Sequence, residues 1–333
     1  MSGSNDGLGR RTFLGSGLAV IAGAAAAQSD PTPYSADPNA VLWPAEERFA
    51  LWPGPPPGAP ASRILPDWTM NNAPPNRELW VRGVASPEVH VFRAPHPDGS
   101  SLLALPGGGY GFLSVQNEGI DAAQRFNAER TTVFVLTYRL PGEGWSNRGL
   151  APLQDAQRAV RLIRSRAVDL KIDPTRLGVL GFSAGGHLAA DLAVSRNARA
   201  YAPIDAADTL SARPAFVGLV YPVTTLEPAK SHGGSRDNLL GANASAELIA
   251  ARSPLLHVDS ATPPTFVAAA FDDGTVPIGN SLDWIAACRN AKVSVEAHLF
   301  AEGGHGFGFH LPSSNPGSRW PDLFALWMRK HGG

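Results

Sequence analysis

Gly181-Phe182-Ser183-Ala184-Gly185 is a G-x-S-x-G pentapeptide. A serine hydroxyl becomes an effective nucleophile when it stands clear of the backbone beside a base. The flanks meet the first need. Leu177-Gly178-Val179-Leu180 is short and apolar, like a buried strand, and Gly186 to Ala193 is small and apolar at helical spacing. Strand, sharp turn and helix make a nucleophile elbow, whose turn is too tight for Cβ atoms near the serine. The N–H groups of the helix start favour negative charge developing beside Ser183. Taken alone, the pentapeptide also fits a glycine-rich turn with a surface serine, so the rest of the chain must decide.

Three other segments follow strand-like runs. Phe271-Asp272-Asp273-Gly274-Thr275-Val276-Pro277 follows the run ending at Ala270, and Glu302-Gly303-Gly304-His305-Gly306-Phe307 follows the run ending at Phe300. Leu105-Pro106-Gly107-Gly108-Gly109-Tyr110 follows an earlier run. A histidine can take the serine proton near pH 7, its unperturbed pKa being about 6.5. A carboxylate fixes the tautomer of that histidine and stabilises the imidazolium. Preorganised N–H donors hold the tetrahedral intermediate. Glycines 107 to 109 let backbone amides approach a substrate closely, and the Ala184 N–H directly follows the nucleophile.

The expected constellation is therefore Ser183 as nucleophile and His305 as general base, then acid. Asp272 or Asp273 is the carboxylate, and Gly108, Gly109 and Ala184 are the oxyanion donors. Whichever aspartate is not used caps the following helix or faces solvent. The chemistry is acyl transfer to Ser183 and then to water, with no cofactor and no metal. His187, one turn into the elbow helix, reads as structural. His232, His257 and His298 read as structural or surface. Asp155 reads as a helix salt-bridge partner of Arg158 and Arg161. Asp205 and Asp208 could form an acid pair, though their spacing does not demand it.

These residues must be positioned by a fold. From about residue 80, strand-like and helix-like segments alternate. Strands are expected at 88–92, 101–105, 132–138, 177–180, 216–221, 265–270 and 293–300. Helices are expected at 120–129, 152–167, 278–290 and 320–330. In the helix at 152–167, Leu153, Ala156, Val160 and Ile163 share one face. Alternation of this kind specifies an α/β fold, a doubly wound and mostly parallel sheet flanked by helices. Ligands in such sheets sit at the carboxyl ends of the strands, where the chemical segments lie.

The expected domains are a signal segment 1–27, an arm 28–80 and a catalytic domain 81–333. Arg10-Arg11-Thr12-Phe13-Leu14, a mildly apolar run and Ala25-Ala26-Ala27 read as a twin-arginine export signal, so the expected location is periplasmic or secreted. The run is too short and too rich in glycine and alanine to span a bilayer comfortably. Residues 28–80 are rich in proline and tryptophan, an extended arm over the main domain with parts docked by Trp43, Trp52, Trp68 and Trp80. The chain has 333 residues and a formal net charge of −1, with no long basic block, which argues against nucleic acid or an anionic membrane surface. Cys288 is the only cysteine, so neither an intrachain disulfide nor a cysteine zinc site can form.

The motifs LPGGGYGFLS, DAQRAVRLIRSRA, DPTRLGVLGFSAGGHLAA, FDDGTVP and HLFAEGGHGFG together resemble bacterial α/β-hydrolases of the acetylxylan esterase type. The likeness covers about residues 80 to 330. The order Ser, Asp, His along the chain is that of α/β-hydrolase triads. In the family pattern D-x-x-V-P the acid stands three residues before the valine, which implies Asp273. Many relatives have histidine before the loop glycines. Pro106 stands there, as in the carbohydrate-esterase branch, and one side-chain hydrogen bond that would hold the loop is lost. A long lid of the lipase kind is missing between Gly185 and Asp273. The resemblance implies hydrolysis of short acyl esters, chiefly acetyl, on xylan-type polysaccharide or its oligosaccharides. Other readings are a general short-chain carboxylesterase, a serine peptidase and a non-catalytic carbohydrate-binding protein. A peptidase of the prolyl-oligopeptidase type would need a propeller domain that the arm cannot supply.

Overall fold

The structure is a computed structural model and describes residues 43–71, 78–195 and 198–331. The expected signal segment lies outside them, as do residues 28–42 of the expected arm. The strands are β1 (Arg48–Ala50), β2 (Asp67–Asn71), β3 (Glu78–Arg82), β4 (Glu88–Phe92), β5 (Ser101–Leu105), β6 (Leu113–Ser114), β7 (Thr132–Thr137), β8 (Leu177–Phe182), β9 (Val217–Val220), β10 (Thr265–Ala270) and β11 (Val295–Phe300). The α-helices are α1 (Asp121–Asn127), α2 (Ala151–Ser165), α3 (Ala167–Leu170), α4 (Ser183–Val194), α5 (Gly233–Leu240), α6 (Ala246–Ala251), α7 (Gly279–Asn290) and α8 (Trp320–His331).

Eight strands form the main sheet in the order β1-β4-β7-β5-β8-β9-β10-β11. From β7 to β11 all neighbours are parallel, while β4 and β1 run antiparallel at one edge. Strands β5, β7, β8, β9 and β10 are buried along their whole length. Covered on both faces, they read as continuous apolar runs without alternation. The parallel run brings the carboxyl ends of β5, β8, β10 and β11 to one edge of the sheet. The four chemical segments leave from those ends.

The segment expected to be an arm is woven into the fold. β1 pairs with β4, and β2 pairs with β3 across residues 71 to 78, so chain pairing continues through residue 80. β2, β3 and β6 make a small antiparallel sheet beside the main one. Trp43 and Trp52 are buried in the core, whereas Trp80 stacks on Phe112 with centroids 3.9 Å apart.

Asp155 has a different partner from the one its spacing suggests. Its carboxylate receives the Arg139 side chain at 2.9 Å and the Trp52 indole N–H at 2.8 Å, all fully or nearly fully buried. Arg158 instead reaches Asp205 and Asp208, and Arg161 reaches the Tyr201 hydroxyl. The physical reason is the depth of α2. Most of its residues are buried, so Asp155 faces the end of β7 and needs a cation from there.

Candidate active site

Ser183 is the first residue of α4, directly after β8. Its φ of +52° is a left-handed conformation that costs a non-glycine residue energy, as in a tight elbow. The flanking glycines make the turn possible. A Cβ on Gly181 would lie 2.2 Å from the Gly185 carbonyl oxygen, and one on Gly185 would lie 2.0 Å from the Leu105 carbonyl oxygen.

The Ser183 hydroxyl lies 2.9 Å from His305 Nε2, and His305 Nδ1 lies 2.7 Å from Asp273 Oδ2. With Nδ1–H donating to the carboxylate, Nε2 is the free base facing the serine. The His305 ring packs edge-on against Tyr221, centroids 4.9 Å apart. The second oxygen of Asp273 accepts the N–H groups of Thr275 and Val276, each at 2.8 Å. Those two hydrogen bonds from the following backbone are why an acid three residues before the valine is held with its other oxygen toward the histidine. Asp272, beside it, is exposed and accepts the Gly304 N–H at 2.7 Å. It faces solvent, one of the two places expected for it, and it also pins the loop that carries His305.

The oxyanion loop is clamped by side chains. The Gly107 N–H donates to Glu118 Oε2 at 2.5 Å, and the Tyr138 hydroxyl donates to the Pro106 carbonyl at 2.6 Å. These two bonds hold the loop, which has Pro106 before its glycines. Gly108 and Gly109 both have positive φ, +119° and +60°. Their N–H groups have no acceptor among the described residues, and the Ala184 N–H belongs to the first turn of α4, which lacks intrahelical acceptors. Gly108 and Gly109 line the same pocket as Ser183, and Ala184 follows it directly in α4.

Glu118, Tyr221 and His232 are residues of this site to which no motif pointed. Glu118 follows the glycine loop at no recognisable spacing, and burial raises its pKa to about 8 against the lowering effect of its Gly107 and Tyr221 hydrogen bonds. His232 lines the pocket with Ser183 and His305. His187, by contrast, is fully buried between the Tyr110 hydroxyl and the Arg252 carbonyl, each 2.8 Å away, and burial lowers its pKa to about 4. His257 and His298 lie outside the pocket. Among the described residues no group of three His, Cys, Asp or Glu is placed to hold a metal ion, and no helix is long and apolar enough to cross a membrane.

Ser183 and His305 open into a pocket of about 670 Å³. Its far wall comes from the small sheet and the loop before it: Glu78, Arg82, Phe112 and Ser114.

The BD-FAE family profile matches residues 102–287, more than half of the chain. The chain belongs to the BD-FAE family. This BD-FAE chain is 34% identical over 226 residues to an acetylxylan esterase of Xylanibacter ruminicola, covering 67% of this chain and 44% of that protein. It is 36% identical over 210 residues to an endo-1,4-beta-xylanase B of Butyrivibrio fibrisolvens, covering 62% of this chain and 32% of that protein. The chain thus spans less than half the length of these two relatives. Among solved structures, an acetyl ester-xyloside bifunctional hydrolase from Caldicellulosiruptor lactoaceticus superposes with a TM-score of 0.69 at 31% identity, over 87% of this chain and 97% of that one. The fold of this BD-FAE member is the α/β-hydrolase fold of such esterases.

Proposed function

We propose that this protein is a serine esterase that removes short acyl groups, chiefly acetyl, from hydroxyls of xylan-type polysaccharide or its oligosaccharides. The observation that carries this reading is the unbroken chain Asp273–His305–Ser183 at the mouth of a roomy pocket with several polar groups on its wall. His305 Nε2 takes the Ser183 proton as Oγ attacks the acyl carbon. The oxyanion meets the N–H groups of Gly108, Gly109 and Ala184. His305 then gives its proton to the leaving alcohol, and an acyl-Ser183 remains. A water enters, His305 takes its proton, and the acid product leaves. Asp273 stays ionised throughout and holds the imidazole.

The carbohydrate part rests on the relatives and on the pocket. Its volume of about 670 Å³ falls in the ~300–1,000 Å³ range of small-molecule sites, far more than an acetyl group fills. Carboxylate, guanidinium and hydroxyl groups on the far wall suit an alcohol part rich in oxygen. The twin arginines at Arg10 and Arg11 complete the proposal: an exported enzyme meets polysaccharide outside the cytoplasm.

The test compares kcat/KM for acetyl, butyryl and decanoyl esters of one alcohol, with acetate release from acetylated xylan. Acetyl should be preferred, and acetate should be released. A preference for decanoyl with no release would move the protein to general carboxylesterases or lipases. Ser183→Ala should lower kcat by about 10³-fold or more while the protein stays folded. A well-folded Ser183→Ala protein keeping a tenth of the activity would remove Ser183 from the chemistry.

A further inference from the structure

His232 has no part in the steps above, yet it shares the pocket with Ser183 and His305. It stands at the N-cap of α5. Its Nδ1 accepts the Ser235 N–H at 3.2 Å and lies 2.9 Å from the Ser235 hydroxyl. A backbone amide only donates, so Nδ1 carries no proton. In the neutral ring the proton must then sit on Nε2. That atom has no hydrogen-bond partner among the described residues, and it is not one of the buried, unsatisfied polar atoms. The helix cap therefore does two things at once: it orients the ring and it fixes the tautomer.

The ring is also placed with respect to the reaction. It lies against the oxyanion loop, so that a Cβ on Gly109 would come 3.7 Å from His232 Cε1. Asn238, on the same helix, donates to the Gly109 carbonyl at 2.8 Å and ties α5 to that loop. Partial burial and the nearby His305 lower the His232 pKa, with Asp273 opposing, which favours the neutral ring at neutral pH. His305 Nε2 must reach the leaving oxygen to return its proton. An alcohol bound there brings its neighbouring carbons into the space that His305 and His232 share.

We propose that His232 Nε2–H donates a hydrogen bond to a free hydroxyl on the carbon next to the ester, so that the site selects monoacyl esters of vicinal diols. A partly acetylated pyranoside has this pattern. The inference rests on the serine-esterase reading of the same pocket and adds a specificity-determining residue to it.

The experiment uses two probes that differ by one hydroxyl: trans-1,2-cyclohexanediol monoacetate and cyclohexyl acetate. The measured quantity is the ratio of their kcat/KM values. In the natural enzyme the diol monoester should be preferred by about tenfold, the scale of one hydrogen bond. His232→Ser keeps a good N-cap acceptor and removes the ring donor. It should bring the ratio close to unity. His232→Asn caps through its carbonyl oxygen and still offers an N–H, so it should retain part of the preference. A His232→Ser enzyme with the natural ratio would overturn the proposal, as would a natural enzyme that hydrolyses cyclohexyl acetate without preferring the diol ester. In both results the esterase reading survives. An enzyme that turns over neither probe, nor nitrophenyl acetate, would remove the esterase reading and this inference with it.

Discussion

The Tyr221 hydroxyl donates to Glu118 Oε1 at 2.9 Å while accepting the Gly308 N–H at 3.1 Å. The other oxygen of Glu118 accepts the Gly107 N–H. One buried carboxyl and one phenol thus tie the oxyanion loop to the loop that carries His305. The two halves of the site share this brace, and Asn117, next to Glu118, adds a second tie by donating to the Gly306 carbonyl at 3.0 Å.

Removing that brace should act on turnover more than on binding. Glu118→Ala should lower kcat by about 10- to 100-fold, the scale of a misplaced reacting group, with a smaller change in KM. Glu118→Gln keeps one acceptor and should fall between. The carboxyl also titrates unusually. Burial lifts its pKa from 4.5 to about 8, so the folded state holds the proton more tightly than the unfolded state. Its contribution to stability is full below the unfolded value and is lost as pH rises through the folded one. Between about pH 5 and 8 the melting temperature of the natural protein should therefore fall relative to Glu118→Gln. Parallel curves would contradict the burial argument, and an unchanged kcat in Glu118→Ala would remove the brace from catalysis.

The two adjacent aspartates should separate cleanly. Asp273→Asn should lower kcat by about 10³- to 10⁴-fold, since the amide no longer selects the useful tautomer of His305. Asp272→Asn keeps an oxygen for the Gly304 N–H and should cost only a few-fold. Steady-state kinetics of the two variants decides the matter; the reverse order would give Asp272 the catalytic part.

The elbow should tolerate no Cβ at its close approach. At Gly185 the new atom would meet two carbonyl oxygens of the neighbouring β5 end, Leu105 and Pro106, at 2.0 and 2.6 Å. Gly185→Ala should lose about 1–3 kcal/mol or more in urea unfolding. Gly142→Ala, where a Cβ meets nothing within 4 Å, should change stability by about 0.5 kcal/mol at most. Equal stabilities would mean that the turn relaxes freely.

Export should depend on the paired arginines. Replacing Arg10 and Arg11 together by lysine should hold the precursor in the cytoplasm, and the exported protein should begin near Gln28. N-terminal sequencing of exported protein that starts at Met1 would contradict this expectation.

Local chemistry made much of the protein legible from residue order. Apolar runs such as Leu177–Leu180 and Thr265–Ala270 read as buried strands, because they are short, do not alternate and are bounded by turn signals. Glycine spacing around Ser183 marked the elbow, because only a turn without Cβ atoms can lift a serine there. The alternation of strands and helices then placed Ser183, His305 and the aspartates at one sheet edge. Other features depended on parts of the chain that meet only after folding. The β1–β4 and β2–β3 pairings, Asp155 with Arg139, and Glu118 with Gly107 and Tyr221 join residues whose local sequence carries no sign of the partner. His232 shows the limit most clearly. From residue order it reads only as structural or surface, and in the fold it caps α5. What the other ring nitrogen faces was decided by where α5 packs, against Gly109 and across from His305, and packing of that range leaves no periodicity or motif to read.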